Sequence, residues 1–214
     1  PRTRTNPAAV RQPTNSEDTI VAVATPPGEG GVGIVRLSGP RAISIAAALF
    51  RSSRGADPLR TRRRVLHGHA LTPDGGVLDE VLLHLMRAPH SYTREDVAEI
   101  NAHGGTGPLD AIVEACLAAG ARLAAPGEFT QRAFLNGRID LVQAEAVIDT
   151  IRARTRASLQ AAQSAASGVL SRRIHALAAE IAHALAHIEA AVDFPEEDLP
   201  ELVTPALFEG LRRT

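Results

Sequence analysis

Glu99 is the first residue in this sequence whose placement asks for a chemical reason. It lies in EDVAEINAH (95–103), beside Val97 and Ile100 on a short extended segment that Gly104-Gly105 closes. An unpaired buried carboxylate is costly, so Glu99 must face solvent or meet a partner. Other residues invite chemistry less strongly. Gly28, Gly30 and Gly33 match G-x-G-x-x-G, but a dinucleotide loop must open a helix, and VGIVRLS (32–38) reads as a strand. These glycines still allow positive φ and the close approach of a ligand. His67, His69 and His84 share one stretch, and His183 and His187 stand at i, i+4. Neither set brings the further ligand that a zinc site needs, so both read as ordinary histidines. The acidic run Asp193–Asp198 reads as a solvated helix exit rather than a Mg²⁺ site. Cys116, the only cysteine, falls on the apolar face of LDAIVEACLAAG and reads as a small buried residue. It has no disulfide partner and fits a reducing compartment.

The elements that must position Glu99 follow from periodicity. TIVAVAT (19–25) and VGIVRLS (32–38) are β-branched and alternating, and a Gly-rich loop joins them. Residues 65–86 read as a hairpin around Pro73-Asp74-Gly75-Gly76. Helical spacing spans 41–50 and 108–119, and Gly120 caps the second segment. Ala121–Ala124 is a last short strand. Then APGEFTQRAFLNGRIDLVQAEA (125–146) changes the character of the chain. Beyond it Asp140–Ala153 is helical, and Leu170, Ile174, Leu177, Ile181, Leu185, Ile188 and Val192 recur at spacings of three and four along one long helix. That stripe needs partner helices. The predicted class is α+β: a mixed β-sheet domain with helices, followed by an all-α bundle segment. The expected divisions are an arm at 1–16, a first domain at 17–136, and the opening of a helical domain at 137–214.

Composition restricts function further. All 23 basic residues are Arg, and the net charge is −1. Residues 1–64 nevertheless hold eleven Arg against Glu17, Asp18, Glu29 and Asp57, an excess of seven positive charges. Six of those Arg fall in 51–64. That stretch reads as a polar, solvated connection, with contact to tRNA-like phosphates as the functional alternative. No apolar run is long enough for a membrane span and no signal peptide is visible, so a cytoplasmic location is expected. The first residue is Pro1, and Thr204-Pro205 opens a new helix signal near the last. The expectation is a piece of a longer protein.

Four stretches together resemble the tRNA modification GTPase family known as MnmE or TrmE. They are DTIVAVATPPGEGGVGIVRLSG (18–39), APHSYTREDVAEINAHGG (88–105), PGEFTQRAFLNGRIDLVQAEAV (126–147) and EAAVDFPEED (189–198). The likeness covers roughly 17–202 in order. It implies an N-terminal domain, aminomethyltransferase-like in fold, that dimerises and binds 5-formyltetrahydrofolate. A helical domain follows, into which a Ras-like GTPase domain is inserted. GTP, Mg and K would belong to that domain, and no G-x-x-x-x-G-K-[ST] occurs in these 214 residues. Nor does the family's closing Cys motif, so GTP hydrolysis is not expected of these residues alone and no catalytic residue is assigned. The implied partners are a second copy of the chain, a flavin-dependent protein of the MnmG/GidA type, and tRNA. The modification would fall on the 5-position of the wobble uridine, as a carboxymethylaminomethyl-type group.

The resemblance also assigns ligand contacts. They fall on Arg36 in GIVRLSG, Glu99 in EDVAEINAHGG and Arg138 in FLNGRIDL. A pterin edge carries adjacent N–H donors, which the Glu99 carboxylate can accept. Arg36 and Arg138 would hold the formyl oxygen, the pterin carbonyl or the glutamate tail. Arg138 stands where the family often has Lys, which replaces a point charge by a planar fork. Its place in 125–146, the stretch read as joining the two domains, makes it a coupling point between folate and the helices. Two alternatives remain at this level: a stand-alone folate-dependent one-carbon protein, and a dimerisation module that has lost folate binding.

Overall fold

A computed structural model describes residues 18–62 and 64–193. The arm at 1–16, the acidic exit after Asp193 and the helix signal at Thr204-Pro205 lie outside these residues. The chain forms two compact units that divide between Arg138 and Ile139.

The first unit is built on a seven-stranded sheet in the order β3-β4-β5-β6-β2-β1-β7. Its strands are β1 (Ile20–Val23), β2 (Gly30–Ser38), β3 (Phe50–Ser52), β4 (Val65–Leu71), β5 (Val77–Met86), β6 (Val97–Gly104) and β7 (Arg122–Leu123). All pairings are antiparallel except the parallel β1–β7 pair. Helices α1 (Ala42–Ala48) and α2 (Thr106–Ala118) cover one face. Strand alternation sends Val35 and Leu37, Val81, Leu83 and Leu85, and Ala98 and Ile100 to that face, against Ile43, Ile45, Ile112 and Cys116. Leu37, Leu83 and Ile100 are at most 2% exposed. Burial of each such side chain contributes roughly 1.5–3 kcal/mol.

Two local features differ from the sequence reading. The connection after α1 is not wholly irregular: Phe50–Ser52 adds edge strand β3, paired with Gly68–Ala70 of β4. Gly33 does bring a neighbour close, but the neighbour is α2. A Cβ at Gly33 would sit 2.5 Å from Leu109 Cδ1.

The alternation that fills the core leaves a cluster of charged and polar side chains on the other sheet face, beside exposed Leu82. Arg36, Glu99 and His84 lie side by side on it in adjacent strands. Helix α3 (Glu128–Leu135) completes this unit and begins after Gly127, whose φ of 77° is left-handed.

The second unit contains α4 (Leu141–Arg152), α5 (Arg156–Ala166) and α6 (Val169–Asp193). Asp140 caps α4 in a capping box with Gln143, and Thr155 caps α5 in one with Ser158. The Ala-rich stretch from Thr155 is thus two helices, broken at Gly168 with φ 73°. Ile174, Ile181, Leu185, Ile188 and Val192 are each about half exposed or more along α6. No helix among the described residues is long and apolar enough to cross a membrane.

Candidate ligand-binding site

The β2–β6 register sets Arg36 opposite Glu99. Arg36 Nε donates to Glu99 Oε1 at 2.7 Å, which answers the question of where the strand carboxylate finds its partner. The Arg36 side chain is 28% exposed and that of Glu99 15%, so the pair is open to a ligand yet shielded from bulk water. Glu99 Oε2 accepts no hydrogen bond from a described residue and stays available.

Two aromatic rings stand beside the Arg36 guanidinium. Tyr92, from the loop between β5 and β6, has its ring centroid 6.0 Å from Arg36 Cζ. Phe129, from the first turn of α3, lies 5.6 Å from the same atom. Arg138 Cζ stands 4.7 Å from the Tyr92 centroid, a cation–π distance. Arg36 and Arg138 therefore share one tyrosine. The Tyr92 hydroxyl is 3.0 Å from Thr130 Oγ1, which ties the ring to α3. Asn136 Nδ2 donates to Thr93 O at 2.7 Å, and Arg94 Nη1 to Asn136 O at 3.1 Å. These bonds clamp the turn before Arg138 to the loop that carries Tyr92.

A partly buried charge network holds α3 in place, with Glu128 and Arg132 at its buried centre. Arg122 donates to Glu128 from Nη1 at 2.8 Å and Nη2 at 2.5 Å, and to Asp18 from Nε at 2.6 Å. Arg132, 5% exposed, donates to Asp18 at 2.5 Å, Glu128 at 3.1 Å and Glu95 at 3.2 Å. Glu95 also accepts from Ser38 Oγ at 2.6 Å, and Ser38 lies 2.6 Å from Thr93 Oγ1. The Arg122 hydrogen bonds, with the Ala125 N–H and Arg132, hold the Glu128 carboxyl down at about 2. Burial pushes Asp18 upward, but Arg122 and Arg132 outweigh it and leave its carboxyl below the usual range. Every charge here has a partner, the condition for a buried polar network to favour one geometry.

Sequence reasoning did not assign Tyr92, Phe129 or this network. Glu128 and Arg132 at i, i+4 are a visible helix pair. Arg122 and Asp18 are 104 residues apart and meet only through the parallel β1–β7 pairing.

The site can bind but offers little for covalent chemistry. Cys116 is in the core, where burial pushes its thiol up to about 12. His67 and Glu80 pair at 2.7 Å on the open face. Among the described residues no group of three His, Cys, Asp or Glu is placed to hold a metal ion. What the site presents is a carboxylate acceptor, two guanidinium groups and two aromatic rings. That set suits a flat heterocycle with adjacent N–H donors and an anionic tail.

Comparisons with known proteins agree along the chain. The family described as GTP-binding protein TrmE N-terminus matches residues 19–138. The one described as MnmE helical domain matches 141–214. The tRNA modification GTPase MnmE of Chloroflexus aurantiacus is 58% identical over 196 residues, 91% of this chain and 43% of that protein. The protein of the same name from Acetivibrio thermocellus is 51% identical over 91% of this chain and 42% of its own length. That from Moorella thermoacetica is 54% identical over 85% and 40%. The chain thus spans about two fifths of the length of these curated relatives.

Proposed function

Because the chain belongs to the MnmE (TrmE) family of tRNA modification GTPases, we propose that its first unit is a binding domain for 5-formyltetrahydrofolate. The observation that carries this reading is the Arg36–Glu99 pair, with Tyr92 and Phe129 against its guanidinium. Glu99 accepts the adjacent N–H donors of the pterin edge through Oε2 and a shared Oε1. Tyr92 and Phe129 flank the ring, and Arg36 and Arg138 hold its oxygens or its glutamate tail by charge-assisted bonds. The folate supplies a one-carbon unit, and these residues orient it and exclude water.

In the longer protein this domain would dimerise with a second copy. It would act in the cytoplasm with a flavin-dependent partner of the MnmG/GidA type on the 5-position of the wobble uridine of tRNA. A GTPase domain using GTP, Mg and K would drive conformational change. Velocity sedimentation of the chain is expected to show a dimer, and a clean monomer at micromolar concentration contradicts that part.

Calorimetric titration of 5-formyltetrahydrofolate tests the site. Binding is expected, and Glu99→Ala should weaken it by roughly 1–3 kcal/mol, the cost of leaving buried donors unpaired. Equal affinity of parent and variant rules out the assignment. No binding by the parent leaves the dimerisation-module alternative.

A further inference from the structure

A second concentration of chemistry lies apart from the folate site, where the β3–β4 connection meets the end of β5. A cavity of about 240 Å³ opens there, ringed by Arg62, Arg64, Arg87 and His90 over Leu85 and Met86. Hydrogen bonds tie Pro58, Leu59 and Arg64 of the connection to β5 and the residue after it. Arg87 Nη2 donates to Leu59 O at 2.9 Å and Pro58 O at 3.3 Å, and Leu85 N donates to Arg64 O at 2.7 Å.

Charge makes this cavity unusual. Among the described residues no carboxylate lines it. The one acid between 51 and 64, Asp57, already pairs with Arg60 at 3.6 Å. The Arg62 and Arg64 side chains bond to no described residue. Three guanidinium groups around one concavity repel each other unless an anion enters, and the arginine fork matches phosphate oxygens. Arg54 of the same connection lines another open concavity with His67 of β4, whose ring is already paired with Glu80. Arg51 and Arg54 are also exposed. A row of this kind suits a chain of phosphates better than a single one.

We propose that this basic cleft binds the phosphate backbone of RNA. The choice of RNA over other polyanions rests on the reading of the chain as part of a tRNA-modifying protein. The sugar-phosphate chain would run along the β3–β4 connection, with one phosphate in the cavity between Arg62, Arg64 and Arg87. Such contacts position an RNA without reading its sequence.

The test is fluorescence anisotropy of the full chain with a short labelled RNA stem-loop across a salt series. Each lost phosphate contact lowers the log–log salt slope by about 0.7 on single-stranded segments. Arg62→Ala/Arg64→Ala loses the one phosphate held in the cavity and should therefore lower it by about 0.7, which is about 5-fold weaker binding than the parent at 0.1 M salt if the two converge at 1 M. Arg154→Ala/Arg156→Ala in the second unit should bind as the parent does. Because the Arg62 and Arg64 side chains bond to no described residue and alanine keeps the Arg64 backbone carbonyl that Leu85 N donates to, the urea midpoint by Tyr92 fluorescence should not move. The proposal is overturned if the Arg62/Arg64 variant binds within twofold of the parent, or if the control pair loses as much. It is equally overturned if phosphatidylserine vesicles capture the chain and the RNA does not. Folate titration of the Arg62/Arg64 variant should match the parent, so failure of the folate reading and failure of this one give separate signals.

Discussion

Glu128→Gln is the sharpest test of what holds the site's roof in place. The Glu128 carboxylate is 4% exposed and accepts from Arg122 twice, from Ala125 N at 2.8 Å and from Arg132 at 3.1 Å. Glutamine keeps the shape and one acceptor oxygen but removes the charge. Arg122 first, then the Ala125 N–H and Arg132, lower the carboxyl from 4.5 to about 2 against the opposing effect of burial. At 1.36 kcal/mol per pH unit that favours the charged form by about 3 kcal/mol. Arg122 is 35% exposed, so solvent screening reduces the figure to about 2 kcal/mol. The chain has one Tyr and no Trp, so the fluorescence of Tyr92 reports on the first unit alone. With a urea m-value of about 2 kcal/mol/M, the variant's midpoint at pH 7 should fall by about 1 M. A depressed carboxyl stabilises fully above its unfolded value and loses that contribution as pH falls through its folded value. The gap between parent and variant should hold from pH 7 to about 4.5 and close by about pH 2. Equal midpoints at pH 7, or a gap unchanged at pH 2, refute the reasoning.

Two further outcomes follow from the same structure. Gly39 and Gly28 have nearly the same positive φ, 131° and 132°, but a Cβ at Gly39 meets Asp18 O at 2.4 Å while one at Gly28 meets nothing within 4 Å. Gly39→Ala should therefore cost roughly 2–4 kcal/mol and Gly28→Ala about 1 kcal/mol in the same urea assay, and equal costs would contradict the packing described around Asp18. His103 Nδ1 lies 2.7 Å from Asp79 Oδ1, and that hydrogen bond raises the imidazole above 6.5. Its small stabilisation is present below pH 6.5 and fades as pH rises through the folded value. An NMR titration should place His103 above 6.5 and Asp79→Asn should return it toward 6.5; no movement on that substitution counts against the pair.

Much of the fold was legible because its signals are local. The β-branched alternation of 19–25 and 32–38, the Pro-Asp-Gly-Gly turn and the helical spacing of 108–119 each became the element they suggest. Edge strand β3 was not legible. Three residues, Phe50-Arg51-Ser52, are too short to show a period, and their pairing depends on Gly68: a Cβ there would meet Arg51 O at 2.2 Å. Gly168 reads as a mere interruption of one helix, yet its left-handed backbone separates two. The site divides in the same way. Glu99 stood out as a carboxylate in an apolar strand, but its partner Arg36 is 63 residues away and set by register. Tyr92 sits in a loop with no periodicity, and only the clamp through Asn136 and Thr130 brings it between the two arginines.

The most direct measurement of the central claim is a crystal structure of the chain with 5-formyltetrahydrofolate. The account predicts the pterin edge at hydrogen-bond distance from Glu99, about 2.7–3.2 Å, with its ring beside Tyr92 or Phe129 and an arginine, Arg36 or Arg138, on its oxygens or tail. Folate bound elsewhere, with the Arg36–Glu99 pair undisturbed and Glu99 Oε2 still unengaged, would contradict it.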